Sequence, residues 1–149
     1  MSINSYEYQV LNLSNRRQYS YDTYLLRAIL GLVTEHAEFI EKPSLDELGD
    51  CLFWYTAIGL CYPTQSSSQY HGEFDTLKLM EAGEKLTRVK SQKISEEKEM
   101  KMINQIETQL YLFYNSVILP YLKQNSCSVS DLQLLNVTKL NSRYEHHLC

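Results

Sequence analysis

The sequence predicts an all-α fold, and three observations carry that prediction. Apolar residues recur at three- and four-residue spacing through most of the chain, and the β-branched residues sit inside those patterns instead of alternating with polar ones. Five glycines and three prolines in 149 residues are too few for a turn-rich all-β design. At 17.5 kDa the chain is long enough for one domain with its own hydrophobic core, without disulfide or metal staples.

The elements follow in order. A short segment, Tyr6 to Leu13, precedes a polar loop from Ser14 to Ser20. A helix then runs from Tyr21 to about Lys42, with Leu25, Leu26, Ile29, Leu32, Val33, Ala37 and Ile40 forming one broad apolar stripe. Pro43 stops it. Ser44 and Glu47 have the spacing of a capping box, so a second helix is expected from Leu45 to about Gly59. Cys61 to Gly72, with Pro63 and three consecutive serines, lacks apolar periodicity and reads as a connection. Two further helical patterns, Glu73 to about Lys93 and Ser95 to about Lys123, place Leu77, Met80, Leu86 and Val89 on one face and Met100, Ile103, Ile106, Leu110, Phe113 and Val117 on another; together they read as a helical hairpin. Pro120 should kink or interrupt the second, because it has no amide hydrogen and crowds the carbonyl one turn earlier. Ser128 with Asp131 caps a last helix, Val129 to about Tyr144, and Glu145 to Cys149 reads as a frayed tail. The expectation is a helical bundle with short loops.

A formal charge of −4 and a pI near 5.5 argue against a surface that condenses on nucleic acid or anionic lipid. An acidic chain can still hold a polyphosphate through a divalent cation. Cys51, Cys61, Cys127 and Cys149 lack the paired spacing of a zinc site and read as free thiols. No basic-then-apolar leader is evident at Met1 to Val10, and no apolar run approaches the roughly 20 residues that span a bilayer. A cytoplasmic protein is expected.

Chemistry concentrates at the first two long helices. Glu35 and Glu38 are three apart on one, Glu47 and Asp50 three apart on the next, and each pair therefore shares a helix face. The short link makes the helices adjacent and antiparallel, so the four carboxylates can converge. Like charges gathered together resist ionisation unless a cation sits among them, and an all-oxygen set suits Mg²⁺ or Mn²⁺. Glu47 also has its capping-box explanation, which needs no metal. His36, adjacent to Glu35, projects roughly 100° away from it, so the Glu-x-x-His pairs of bundle di-iron sites are absent.

Gly31-Leu32-Val33-Thr34-Glu35-His36-Ala37-Glu38-Phe39 and the later Asp46-Glu47-Leu48-Gly49-Asp50-Cys51-Leu52-Phe53-Trp54 resemble the paired Glu-x-x-Glu and Glu-x-x-Asp motifs of the all-α nucleoside triphosphate pyrophosphohydrolases, the MazG-like superfamily. Tyr6-Glu7-Tyr8-Gln9-Val10-Leu11 is similar to that family's short first helix. Asn136-Val137-Thr138-Lys139-Leu140-Asn141-Ser142-Arg143-Tyr144 is similar to its C-terminal Asn-x-x-Lys-Leu-x-x-Arg-Tyr segment. The chain departs from the family in having Thr34 where many members have a third glutamate, and His36-Ala37 where they have Ala-Gly. It also carries a segment of about residues 61–106 that short members would largely lack, which reads as an inserted hairpin within a single domain of residues 1–149. Glu81-Ala82-Gly83-Glu84 in that hairpin copies the first motif by coincidence, having no Glu-x-x-Asp partner.

The resemblance implies Mg²⁺-dependent hydrolysis, with Mn²⁺ as an alternative ion, of a ribo- or deoxyribonucleoside triphosphate to the monophosphate and pyrophosphate in nucleotide-pool control. Glu35, Glu38, Glu47 and Asp50 would hold the metal and carry the catalysis. Asn136, Lys139 and Arg143, along one stripe of the last helix, would present an amide and two cations to the polyphosphate; solvated charges favouring the helix dipole are the other reading. Trp54, four residues after Asp50, would stack on a base or pack in the core. Gly31 would leave space for the nucleotide or allow close helix contact. Arg88, Lys90 and Lys93 form a basic patch, while His71 and His146-His147 are weak metal signals. The family further implies a homodimer or homotetramer. Two other functions stay open: another diphosphohydrolase reaction, such as one on phosphoribosyl-ATP, or a helical module that binds a nucleotide or partner without turnover.

Overall fold

The computed structural model describes residues 5–62, 72–92 and 95–147, and the fold is all-helical. The elements are α1 (Ser5–Leu13), a 3-10 turn (Arg16–Gln18), α2 (Tyr21–Glu41), α3 (Leu45–Cys61), α4 (Thr76–Gln92), α5 (Glu96–Phe113), a π-helical segment (Tyr114–Ile118), α6 (Leu119–Gln124) and α7 (Val129–His147). No strand occurs among the described residues. The expected connection lies mostly at residues 63–71, outside the described residues, as do Lys93, His71 and Cys149 and the side chains of Val89, Lys90, Tyr144, His146 and His147.

α3 is the centre of the bundle. Leu48, Gly49, Cys51, Leu52, Phe53, Ala57 and Ile58 are buried, so this helix meets neighbours on most of its circumference, and its acidic residues fall in its first turns. α2 runs antiparallel beside it: Glu35 lies near Asp50, Gly31 faces Trp54, and the Tyr21 hydroxyl donates to the Cys61 carbonyl at 3.3 Å. α1 and α7 cover another side of α3, while α4 packs on α2 and pairs with α5 as the expected hairpin. At the α2–α4 contact Ala82 and Gly83 are buried; a Cβ on Gly83 would stand 2.5 Å from Ile29 Cδ1. Glu81 and Glu84 flank them on the exposed side and pair with Lys85 and Arg88 one turn on. The motif copied in the hairpin thus serves helix packing and surface ion pairs.

Boundaries follow the caps. Ser20 and Ser44 accept from the amides of Thr23 and Glu47, opening α2 and α3 where the sequence predicts. α4 opens at Thr76 instead of Glu73, because Asp75 Oδ1 accepts from the amides of Leu77 (3.0 Å) and Lys78 (3.2 Å) and so takes the capping role. The interruption expected at Pro120 is present but begins earlier. The chain shifts to π register over Tyr114–Ile118, with the Leu119 amide bonded to the Tyr114 carbonyl, and Pro120 follows directly in the first turn of α6, so the register change coincides with the amide donor that proline lacks. α7 continues to His147, past the expected end at Tyr144.

The core stripe of α2 is narrower at its C-terminal end than the periodicity predicts. Leu25, Ile29 and Leu32 are buried with Tyr24, Ala28 and Phe39, whereas Ala37 is exposed and Ile40 is 64% exposed. Leu77 and Met100, expected on apolar faces, are 74% and 54% exposed. Leu77 lies in the first turn of α4 and Met100 near the start of α5. Buried tyrosines receive polar partners: Tyr24 and Ser14 hydroxyls lie 2.8 Å apart, and the Tyr6 hydroxyl donates to Asn136 Oδ1 at 2.9 Å. Cys51, Cys61 and Cys127 are free thiols, and no helix among the described residues is long and apolar enough to cross a membrane.

Candidate metal centre

Glu35 on α2 and Glu47 and Asp50 on α3 converge, each offering a carboxylate oxygen within 4.8 Å of the others. The three- and four-residue periodicity puts Glu47 and Asp50 on the α3 face that meets α2, and the antiparallel pairing brings Glu35 opposite them. Glu35 Oε2 and Glu47 Oε2 are buried and have no hydrogen-bond partner. A buried, unpaired carboxylate oxygen is costly unless a cation satisfies it. Only the serine half of the capping box explains Glu47: Ser44 Oγ accepts from its amide at 3.0 Å, while Glu47 Oε2 stays orphaned among acidic neighbours. An all-oxygen donor set with orphaned atoms fits a hard divalent cation.

Electrostatics agree with the crowding. Burial, then the charge of Asp50, a side-chain hydrogen bond with Glu38, and the charges of Glu38 and Glu47 push the Glu35 carboxyl up to about 7. Burial and the charges of Asp50 and Glu38 also raise Glu47, with Lys139 opposing. Glu38, the fourth residue the sequence assigns, is exposed and lies outside the close cluster, though near enough to Glu35 and Glu47 to perturb both. Cys51 sits close behind, and burial and then the same carboxylates raise its thiol well above the usual range. His36 is held edge-on between Phe74 (5.3 Å) and Phe113 (5.4 Å), and burial lowers its pKa. It joins α2 to the hairpin and takes no part in the carboxylate cluster.

The three α7 residues do not act alike. Asn136 is 2% exposed; its Oδ1 accepts from Tyr6 and its Nδ2 donates to Asp50 Oδ1 at 3.5 Å. Lys139 Nζ donates to Asp50 Oδ2 at 2.8 Å and to Asp46 Oδ2 at 2.9 Å. Burial works against its charge, but these hydrogen bonds outweigh it and raise its pKa. Both residues are therefore turned to Asp50. Arg143 is exposed and lines a hollow of about 170 Å³ that Glu35, Asp50 and Trp54 also line.

Trp54 is partly exposed, stands edge-on to Phe53 at 4.9 Å, and borders both that hollow and a broader groove of about 610 Å³ reaching Tyr19 and Leu30. Gly31 is there for the indole: a Cβ at this position would come within 2.5 to 2.8 Å of three Trp54 ring atoms. The sequence reading misses Arg27. Its guanidinium lies 5.1 Å from the Tyr19 ring centroid and 5.9 Å from that of Trp54, and it lines both hollows. A signal existed, since Arg27, Gly31 and Glu35 recur every four residues on one face of α2.

The arrangement offers an acidic cation seat beside two arginines and an aromatic wall. No family model, no curated protein and no solved structure matches the chain, so the site is judged on its own residues and geometry.

Proposed function

We propose that the protein is a divalent-cation-dependent pyrophosphohydrolase that splits ribo- or deoxyribonucleoside triphosphates into the monophosphate and pyrophosphate. The observation that carries this reading is the convergence of Glu35, Glu47 and Asp50 with two buried, unpartnered carboxylate oxygens. Glu35, Glu47 and Asp50 would hold Mg²⁺ or Mn²⁺. Such an ion supplies neutralisation of phosphate oxygens and a lowered pKa for water. Arg27 and Arg143, which share the hollow with Glu35 and Asp50, bind the remaining phosphate charge. Glu38, outside the close cluster but near enough to Glu35 and Glu47 to perturb both, would supply a carboxylate base for a water at the site. Trp54 and Tyr19 provide an apolar wall for the base and restrict water.

The resemblance of the Glu-x-x-Glu, Glu-x-x-Asp and Asn-x-x-Lys segments to the MazG-like enzymes supports the choice of reaction. Pyrophosphate release from a panel of ribo- and deoxyribonucleoside triphosphates with Mg²⁺ tests it. Wild type should turn over at least one nucleotide, and Glu38→Gln and Asp50→Asn should each lower the rate by about a hundredfold or more. Turnover that survives both substitutions refutes the site. No turnover on any nucleotide refutes the activity and leaves a binding module.

A further inference from the structure

The carboxylate centre carries a cation of its own. Lys139 Nζ bridges two carboxylates that differ in kind: Asp50, 17% exposed and part of the cluster, and Asp46, 61% exposed and outside it. The lysine side chain is itself 18% exposed, and its ammonium is held by both aspartates at once, one on its buried side and one on its solvent side. On the other Asp50 oxygen, the Asn136 contact of 3.5 Å is at the long limit of a hydrogen bond. Lys139 at 2.8 Å is therefore the stronger hold on that carboxylate.

A positive charge on Asp50 relieves repulsion among the acidic groups, and the same charge repels any divalent ion approaching them. Asp46, one turn before Asp50, offers the ammonium a second seat nearer solvent. We propose that Lys139 is a tethered counter-cation, which occupies Asp50 while the divalent ion is away and withdraws toward Asp46 when the ion binds. This inference rests on the divalent-cation reading above. It gives the lysine a role that a permanent surface charge does not have, since its departure from Asp50 is coupled to ion binding. Once displaced, the ammonium is available to an anion that arrives with the metal, so the metal and a phosphate-bearing ligand bind with positive coupling.

The test titrates MnCl₂ and MgCl₂, without nucleotide, into the full chain, followed by calorimetry and by fluorescence of Trp54, the single tryptophan. Lys139→Gln should tighten cation binding by about tenfold or more, because it removes the competitor. Asp46→Asn should weaken binding in wild type, by confining the ammonium to Asp50, and have a much smaller effect in the Lys139→Gln background. Weaker or unchanged cation binding in Lys139→Gln overturns the proposal, since a lysine that merely braces Asp50 gives that result. Lys139→Met repeats the measurement should the glutamine variant fold poorly. Wild type that binds neither ion overturns the metal reading itself, an outcome distinct from a wild type that binds and a variant that binds no better.

Discussion

Replacing Glu35 with glutamine should stabilise the cation-free protein at alkaline pH and at the same time remove its stabilisation by divalent cations. The Glu35 carboxyl rises from 4.5 to about 7 through burial and then through Asp50, Glu38 and Glu47. The unfolded chain thus releases this proton near 4.5 while the folded chain keeps it until about 7. The folded state binds more protons in that window, so stability falls as pH climbs through it and changes no further above it on this group's account. The whole rise corresponds to a ceiling of about 3 kcal/mol at about 1.4 kcal/mol per pH unit. Glu35 is partly exposed, and solvent screening cuts the usable figure to roughly 1–2 kcal/mol, or about 3–6 °C in Tm for a chain of this size. Thermal melts in EDTA at pH 5 and pH 8 read this directly. Wild type should melt lower at pH 8 than Glu35→Gln, and the two should converge at pH 5. Adding Mg²⁺ at pH 8 should then raise wild type and leave the variant unmoved. A variant that melts below wild type at pH 8 without cation, or that gains as much from Mg²⁺, would show that Glu35 is not under repulsion in a cation seat.

Gly31→Ala should lower stability and disturb the site, because its Cβ meets the Trp54 ring at 2.5 to 2.8 Å; overpacking of about 1–3 kcal/mol exceeds or matches the gain of about 1 kcal/mol in helix propensity. Trp54 emission should shift with it, and an unchanged spectrum would mean that the indole does not rest on this glycine. Gly83→Ala should cost less than Gly31→Ala by about 1 kcal/mol, as its close contact is the mobile tip of Ile29 instead of a ring; denaturant melts of the two variants compare them. Arg27→Ala should change stability by less than about 1 kcal/mol, since the residue is exposed and held by cation–π contacts. It should weaken binding of a nucleoside triphosphate much more than of the nucleoside, and equal loss for both ligands would deny it a phosphate role.

What the sequence made legible was what depends on local spacing, and what it hid was what depends on docking. Glu35, Glu47 and Asp50 come together as expected because the three-residue intervals select helix faces and the three-residue link between α2 and α3 forces an antiparallel return. Ile40 and Leu77 continue their apolar stripes by the same rule and yet are exposed, because periodicity says which residues share a face and not how far a neighbouring helix extends. The π segment before Pro120 is a like case: the missing amide predicts a break, whereas the register shift that absorbs it reaches back to Tyr114. The α7 stripe is the most instructive. Spacing of i, i+3 and i+7 places Asn136, Lys139 and Arg143 on one side, and the resemblance turns all three toward phosphate. Docking of α7 on α3 divides them, turning Asn136 and Lys139 to Asp50 and leaving Arg143 at the hollow. Arg27 arrives at that hollow from α2, announced only by its four-residue spacing from Gly31 and Glu35, because its surroundings come from Tyr19 and from Trp54 on the neighbouring helix. A residue's surroundings in this bundle are therefore set by what lies across the helix seam: Lys139 meets Asp50 and Asp46 and pairs with both, Arg27 meets the Tyr19 and Trp54 rings, and both are cations on helices that their own sequences would leave solvated.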